Sequence, residues 1–152
     1  MGDGLCMSAS SDLVDLLYTR EGHLGIITLN RPDVLNAISE SMLPLWVEAL
    51  EECRIDSDVA AIVVTGAGEA FCRGGDTSKL GSNTTPGPVD IKEQFWDRLH
   101  QIPRKLAEID KPVIAAVNGL ASGAGVDVSL QCDIRLAARS ANFRVSYTAF
   151  GL

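Results

Sequence analysis

Short apolar runs, separated by turn-forming residues, alternate along the chain and predict its secondary structure. Two extended runs, residues 13–18 and 24–29, flank a turn at Gly22 and predict a β-hairpin. Residues 59–65 and 112–117 are apolar almost throughout, as is typical of strands that are covered on both faces. Two shorter strands are predicted at residues 133–138 and 141–145, and the glycine-rich segment from Gly66 to Asp76 is predicted as a loop.

Apolar residues at helical spacing predict three helices. The first begins near Ser39 or Ser41, either of which can cap it, and Pro44 then falls in the first turn, where its missing N–H costs little. A longer helix is predicted over residues 91–109 with a kink at Pro103, and a short one over residues 122–131. The apolar face of the first helix consists of Met42, Leu45, Trp46, Ala49, Leu50 and Cys53.

The order of these elements favours an α/β fold in which helices cover the sheets. Two segments resemble each other: AAIVVTG, which ends at Gly66, and VIAAVNG, which ends at Gly119, and each leads into a second turn of small residues. The similarity indicates a repeated structural unit, although buried strands followed by turns also look alike by chance.

Composition and charge narrow the function classes. The 152 residues are 46% hydrophobic and 22% charged, as in ordinary globular proteins, and disorder is expected only in residues 1–12 and 81–88. The net charge of −7 argues against a nucleic acid partner, because phosphate backbones require a basic face. No apolar run is long enough to span a membrane and no signal peptide is recognisable at the start, so we expect a cytoplasmic protein without a membrane partner.

The cysteines and histidines show no metal-binding pattern, so no metal is expected. His23 and His100 stand alone in the sequence. Reduced thiols are expected, because no C-x-x-C spacing occurs. The cysteines are Cys6, Cys53, Cys72 and Cys132.

Two loops rich in small residues are candidates for chemistry. Residues 73–76 (RGGD) and 121–125 (ASGAG) let a ligand approach the backbone, and the second loop opens a helix whose first N–H groups have no partner within the helix. Two such N–H groups aimed at one point would form an oxyanion hole for an acyl carbonyl. The alternative is that the glycines only allow tight turns and close packing. Dinucleotide-binding, P-loop and nucleophile-elbow motifs do not fit residues 119–125, so a nucleotide-binding domain is a distant third possibility.

Five segments resemble, in order, motifs of the enoyl-CoA hydratase/isomerase (crotonase) family. The resemblance extends from residue 13 to residue 152. The five segments are Asn30-Arg31-Pro32 with Asn36-Ala37, GAGEAFCRGGD (66–76), KPVIAAVNGLASGAG (111–125), LQCDIRLAA (130–138) and FRVSYTAFGL (143–152).

The resemblance implies a spiral of ββα units in residues 13–152, here truncated before the C-terminal part of the core and the trimerisation helices. It also implies an acyl-CoA substrate, no cofactor other than the coenzyme A of that substrate, and a homo-oligomer, either a trimer or a hexamer.

The resemblance assigns the oxyanion donors to the N–H groups of Gly75 and Ala124. It places Asp127 and Tyr147 where family hydratases carry their two catalytic glutamates, with Ser146 in place of a usual proline. Coenzyme A would lie along two loops, with Arg31, Arg73 and Lys79 as candidate phosphate-binding cations or, alternatively, solvated surface charges. The residues that it assigns to coenzyme A are Arg31, Asn36, Ala37, Arg73, Gly74, Gly75, Asp76 and Lys79.

The two substitutions argue against ordinary hydration, which uses two carboxylates. Asp127 is shorter than glutamate, and tyrosine, with a reference pKa of about 10, is a poor base at neutral pH. A reaction with one base fits better, such as double-bond isomerisation with Asp127 as the base. The alternatives are a non-catalytic acyl-CoA binder or remnant and, for Asp127, an acid that only complements the helix dipole.

Overall fold

The chain folds into two β-sheets and three α-helices in the residues that the computed structural model describes, 14–76 and 99–150. The helices are α1 (Met42–Ile55), α2 (Gln101–Ala107) and α3 (Ala124–Gln131), with 3₁₀ helices at Pro32–Val34 and Tyr147–Phe150. The strands are β1 (Leu16–Glu21), β2 (Leu24–Leu29), β3 (Ala61–Gly66), β4 (Ala70–Cys72), β5 (Val113–Val117), β6 (Leu120–Ser122), β7 (Ile134–Ala137) and β8 (Asn142–Arg144).

One sheet has the strand order β1-β2-β3-β5-β7 and the other has the order β4-β6-β8. The pair β1–β2 is antiparallel, as the predicted hairpin requires, and all the other pairings are parallel. The apolar runs in β3 and β5 lie in the interior of the larger sheet, where Ile62, Val64, Val113 and Ala115 are buried. The predicted α/β class is therefore confirmed.

A repeated unit explains the similarity between the two glycine-ended segments. Each of the consecutive pairs β3–β4, β5–β6 and β7–β8 places its first strand in the larger sheet and its second strand in the smaller one. Gly66 ends β3 and Gly119 lies between β5 and β6, each at a point of close backbone approach. A Cβ on Gly119 would lie 1.8 Å from the Glu69 carbonyl oxygen, and one on Gly66 would lie 2.3 Å from the Ala70 oxygen.

The first predicted helix is confirmed as α1, and its apolar face packs into the core. Trp46, Leu50 and Met42 are fully buried, whereas Leu45 is only partly buried. Pro44 lies in the first turn as predicted. Of the two candidate caps, the Ser39 hydroxyl accepts a hydrogen bond from the Met42 N–H, at 3.1 Å.

Several predicted bounds are wrong. The segment from Gly66 to Asp76, predicted as a loop, contains the short strand β4, and β6 was not predicted, because three-residue strands show no periodicity. The second helix ends at Ala107 rather than at Ile109, and Pro103 lies in the first turn of α2. The rest of that helix (91–98), the tail 1–12 and the loop 81–88 lie outside the described residues, so the kink at Pro103 stays a prediction. Within the described ranges, no helix is long and apolar enough to cross a lipid bilayer.

Candidate active site

The turn that carries Gly75 is bound to the loop that follows β2. The bridge between Ile38 and Gly75 is parallel, and the hydrogen bonds that form it flank Gly75 on both sides. The segment is therefore held like a single rung of a parallel sheet. The hydrogen bonds run from Arg73 N–H to Leu35 O (2.9 Å), from Ile38 N–H to Gly74 O (2.8 Å) and from Asp76 N–H to Ile38 O (3.0 Å).

The same turn lies directly against the start of α3. Gly74 has a φ of 100°, a backbone conformation that favours glycine. A Cβ on Gly74 would lie 2.8 Å from the Ser122 carbonyl oxygen and 3.4 Å from the Ala124 nitrogen. Gly123 precedes α3 with a φ of 51°, so both glycine-rich turns use dihedral angles that other residues rarely adopt. The structure therefore brings the two predicted loops together.

β4 contacts both glycine-rich loops through Cys72. A Cβ on Gly125 would lie 2.2 Å from the Cys72 carbonyl oxygen, so α3 rests on the backbone of β4. The buried Cys72 sulfur accepts a hydrogen bond from the Gly74 N–H at 3.4 Å. Burial raises the pKa of the Cys72 thiol to about 11, which keeps it protonated at neutral pH. Sequence reasoning did not assign a role in the site to Cys72, although it lies inside the segment GAGEAFCRGGD (66–76).

The two predicted oxyanion donors, Gly75 and Ala124, lie on these adjoining segments. Within the described residues, no hydrogen bond is assigned to either of their N–H groups. A Cβ built on Gly75 would meet no atom within 4 Å, so open space surrounds this residue. Their joint action on one acyl oxygen stays a prediction.

Asp127 and Tyr147, the two predicted catalytic side chains, bind each other. Asp127 lies in the first turn of α3, and the Tyr147 hydroxyl donates a hydrogen bond to its Oδ2. Burial, that hydrogen bond and the charge of Asp127 hold the pKa of the Tyr147 phenol well above its usual range. Tyr147 is therefore a protonated hydrogen-bond donor to Asp127.

Ser146 brings Tyr147 close to the start of α3. The Ser146 hydroxyl lies 3.3 Å from the Ser122 hydroxyl and 3.4 Å from the position of a Cβ on Gly123. The Gly123 N–H donates to the Arg144 carbonyl at 3.0 Å, at the end of β8. The Ser146 hydroxyl thus makes a polar contact beside the start of α3.

The residues predicted to bind coenzyme A differ in how far they are buried and in what they contact. Asn36 is fully buried, and its side chain bonds to the Arg31 N–H and to the carbonyls of Ala67 and Ala70, so it holds the loop in shape. Ala37 is also buried, whereas Arg73 is exposed. Lys79 lies outside the described residues. Binding of coenzyme A by these residues stays a prediction.

Arg31 makes protein contacts that neither sequence-based expectation included. Its Nη1 donates to the Ala37 carbonyl and to Asp76 Oδ2, each at 2.9 Å. Its Nε lies 3.6 Å from Asp15 Oδ1, and its side chain is only 22% exposed. Arg31 is therefore not a solvated surface charge.

The chain matches the family model described as enoyl-CoA hydratase/isomerase over residues 19–152. It is 36% identical over 143 residues to a short-chain-enoyl-CoA hydratase of Clostridium acetobutylicum, covering 93% of this chain and 53% of that protein. It is 37% identical over 126 residues to a 1,2-epoxyphenylacetyl-CoA isomerase of Escherichia coli, covering 83% of this chain and 48% of that protein.

Solved structures agree with these matches. A putative enoyl CoA hydratase/isomerase (crotonase) from Legionella pneumophila superposes with a TM-score of 0.85 at 31% identity, covering 92% of this chain and 54% of that one. An enoyl-CoA hydratase from Polaromonas gives 0.82 at 36% identity, covering 90% of this chain and 53% of that one. The predicted spiral fold is confirmed by these likenesses. The chain spans about half the length of the relatives that it matches.

Proposed function

Because this chain belongs to the enoyl-CoA hydratase/isomerase family, we propose that it binds an acyl-CoA thioester and stabilises the enolate of its acyl group. The N–H groups of Gly75 and Ala124 are the proposed donors to the enolate oxygen. The observation that carries this proposal is the direct packing of the Gly74–Gly75 turn on the start of α3, where helix N–H groups and the positive end of the helix dipole favour negative charge.

Asp127 is the proposed general base. It lies three positions after Ala124 on α3, and residues at this spacing share one face of a helix. Its carboxylate takes a proton from the carbon beside the thioester carbonyl, and the electron pair of the C–H bond moves to the carbonyl oxygen. In a 3-enoyl thioester the enolate oxygen then returns its electron pair and the carbonyl re-forms. The double bond moves from C3=C4 to C2=C3, and the same carboxyl delivers the proton to C4 of the acyl group. No cofactor besides the coenzyme A of the substrate takes part.

Isomerisation is favoured over hydration by the state of Tyr147. Hydration requires a second group that activates water, in addition to the proton donor. The Tyr147 hydroxyl already donates to Asp127, and its raised pKa keeps the proton on the phenol. One base therefore remains, which is sufficient for a proton shift within the substrate.

The test compares turnover of a 3-enoyl-CoA with hydration of crotonyl-CoA by the purified protein. We expect isomerisation to exceed hydration, and Asp127→Asn to lower isomerisation by ~10²–10⁴-fold, as for loss of a general base. Asp110→Asn makes the same change at an exposed position after α2 and should leave turnover unaltered. Undiminished isomerisation in Asp127→Asn would remove Asp127 from the mechanism.

A second candidate, a non-catalytic acyl-CoA binder, is favoured by the tyrosine at the place of the second glutamate. The two candidates are distinguished by whether the protein forms the enolate of a bound acyl-CoA. A catalyst exchanges the α-protons of butyryl-CoA for deuterium in D₂O, whereas a binder holds the thioester without exchange. Exchange that depends on Asp127 would exclude the binder, and tight binding without exchange would exclude the enzyme.

A further inference from the structure

The guanidinium of Arg31 joins two acidic side chains on either side of the loop that follows β2. Asp15 comes directly before β1, and Asp76 comes directly after Gly75. Nη1 of Arg31 bonds to Asp76 Oδ2 at 2.9 Å, while Nε lies 3.6 Å from Asp15 Oδ1. The three side chains are 22–28% exposed, so the contacts are partly shielded from solvent. We refer to Asp15, Arg31 and Asp76 as the arginine clamp.

The clamp acts on the segment whose orientation decides where the Gly75 N–H points. Ile38 binds the carbonyl of Gly74 and the N–H of Asp76. In a parallel pairing, the N–H and C=O of the residue between those two groups point to the opposite side. The Gly75 N–H is therefore directed away from Ile38 for as long as Asp76 stays in place.

Besides the clamp, the hydrogen bond from Arg73 to Leu35 and the packing of Gly74 on the start of α3 hold this turn. The Ile38–Gly75 bridge is isolated and does not belong to a longer ladder. Two consecutive glycines, Gly74 and Gly75, have access to more backbone conformations than other residues do, so the orientation of the turn depends on these contacts. Arg31 reinforces both partners of the bridge, because one nitrogen binds the carbonyl of Ala37, next to Ile38, and the carboxylate of Asp76.

We infer that Arg31 is a positioning residue: held by Asp15 and bound to Asp76, its guanidinium fixes the turn that aims the Gly75 N–H at the acyl oxygen. The inference rests on the function proposed above. It replaces the expectation that Arg31 binds a phosphate of coenzyme A, because Nη1 already donates to a carboxylate and a carbonyl and two carboxylates lie beside the guanidinium. Arg73, exposed on the same turn, is the better candidate for a phosphate contact.

The two roles of Arg31 predict different losses. A phosphate contact stabilises substrate and transition state equally, so its removal raises KM and weakens binding of free CoA. A positioning residue acts on the enolate, so its removal lowers kcat, and a displacement of about 1 Å costs ~10²-fold. Arg31→Gln should therefore lower kcat by ~10²-fold with unchanged affinity for free CoA.

Asp76→Asn breaks the same ion pair by removing the negative charge of its carboxylate. Because Arg31 and Asp76 act as a unit, the variant carrying both substitutions should lose no more activity than the worse single variant. Arg31→Lys keeps the positive charge but lacks the planar guanidinium. Its kcat should lie between those of the original protein and Arg31→Gln. Arg20→Gln, which removes an exposed arginine that pairs with Asp56 and Asp58, controls for loss of an ion pair and should leave kcat unaltered.

Two spectroscopic measurements separate positioning from a general loss of structure. Hydrogen exchange of the Asp76 amide, which donates to Ile38, should accelerate about tenfold or more in Arg31→Gln while amides of β3 keep their rates. In Arg31→Gln, the stretching frequency of the thioester carbonyl of bound butyryl-CoA should move towards its value in free solution, because the hydrogen bond from the Gly75 N–H weakens.

The outcomes are distinct. Unchanged Asp76 exchange, an unchanged carbonyl frequency and weaker binding of free CoA in Arg31→Gln would overturn the clamp and restore the phosphate contact. A carbonyl frequency that is already unshifted in the original protein would overturn the oxyanion proposal, and the inference about Arg31 would fall with it. Faster exchange of Asp76 together with a lost carbonyl shift supports the clamp.

Discussion

At the scale of single residues, Gly75 and Gly74 offer a paired test of the site. Gly75→Ala adds a methyl group to open space at a φ that is not positive, so we expect an unchanged Tm. The methyl group narrows the approach to the backbone N–H, so turnover should fall by about tenfold or more, since one oxyanion donor is worth ~10²–10³. Thermal unfolding and steady-state kinetics measure the two effects.

Gly74→Ala is the matched comparison. Its Cβ would lie 2.8 Å from the Ser122 carbonyl at a φ of 100°, so this variant should lose stability as well as activity. Full turnover in Gly75→Ala would show that the acyl group does not approach from the open side of that residue.

Both tyrosines of the chain should resist ionisation. Burial and a hydrogen bond with Cys53 raise the pKa of Tyr18, and burial and Asp127 raise that of Tyr147. A raised folded pKa contributes stability that is complete below the unfolded value of about 10 and is lost as the pH rises beyond it. Near pH 10, tyrosinate absorbance should thus be weak in the native protein and half-developed in urea. Half-developed absorbance in the native protein would contradict both assignments.

Sequence motifs selected individual candidate residues but did not give the contacts of those residues. Asp127 and Tyr147 were each selected by position, but their mutual hydrogen bond links α3 to a 3₁₀ helix and depends on the path of the chain between them. For Arg31 the sequence left two interpretations open, a phosphate-binding cation and a solvated surface charge. A sequence shows the charge of Arg31 but not that Asp76 folds back to meet it. Long-range pairs of this kind follow from tertiary structure.

At the scale of elements, the close contact at Gly119 should be essential for the turn between β5 and β6. Gly119→Ala places a Cβ 1.8 Å from the Glu69 carbonyl oxygen, so the backbones must separate. Overpacking of this kind costs about 1–3 kcal/mol or more. Urea unfolding should show that loss as a lower midpoint with an unchanged slope.

Gly22→Ala serves as the control for that substitution. Gly22 has a φ of 59° and no atom within 4 Å of an added Cβ, so only the backbone conformation is penalised, by roughly 1–2 kcal/mol. If Gly119→Ala lowered the free energy of unfolding no more than Gly22→Ala, the backbone segments at Gly119 and Glu69 would separate easily.

Long elements were predictable from the sequence and very short ones were not. α1 and β3 carry enough apolar positions to reveal their period, and both were assigned correctly within a few residues. β4 and β6 have three residues each, and β4 is buried at every position, so neither shows alternation. They are strands because the neighbouring turn of the spiral supplies their hydrogen bonds.

At the scale of the whole molecule, the outermost strands β7 and β8 and the residues next to them expose several large apolar side chains. All residues of both strands are exposed, and within the described residues each strand has a neighbour on one side only. Large exposed apolar patches and unpaired strand edges promote association. The exposed large apolar residues of this region are Leu130 (62%), Ile134 (48%), Leu136 (61%), Phe143 (46%) and Val145 (69%).

We therefore expect this 152-residue polypeptide, purified by itself, to bind a hydrophobic dye strongly and to associate as its concentration rises. Leu136→Lys should weaken both effects, whereas Ile55→Lys, at a similarly exposed position (66%) on α1, should not. Fluorescence titration and light scattering measure them. A monomer with negligible dye binding and a sharp cooperative melt would contradict this expectation.

The strand order has a consequence for how the protein is made. In both sheets the strands lie side by side in the order in which they occur along the chain, β1-β2-β3-β5-β7 and β4-β6-β8. Each strand that leaves the ribosome thus finds its partner already synthesised, at the free edge of the growing sheet. Among the strands of residues 14–76 and 99–150, no later one has to insert between two earlier ones. The nascent chain can therefore build this part of its core turn by turn as translation proceeds.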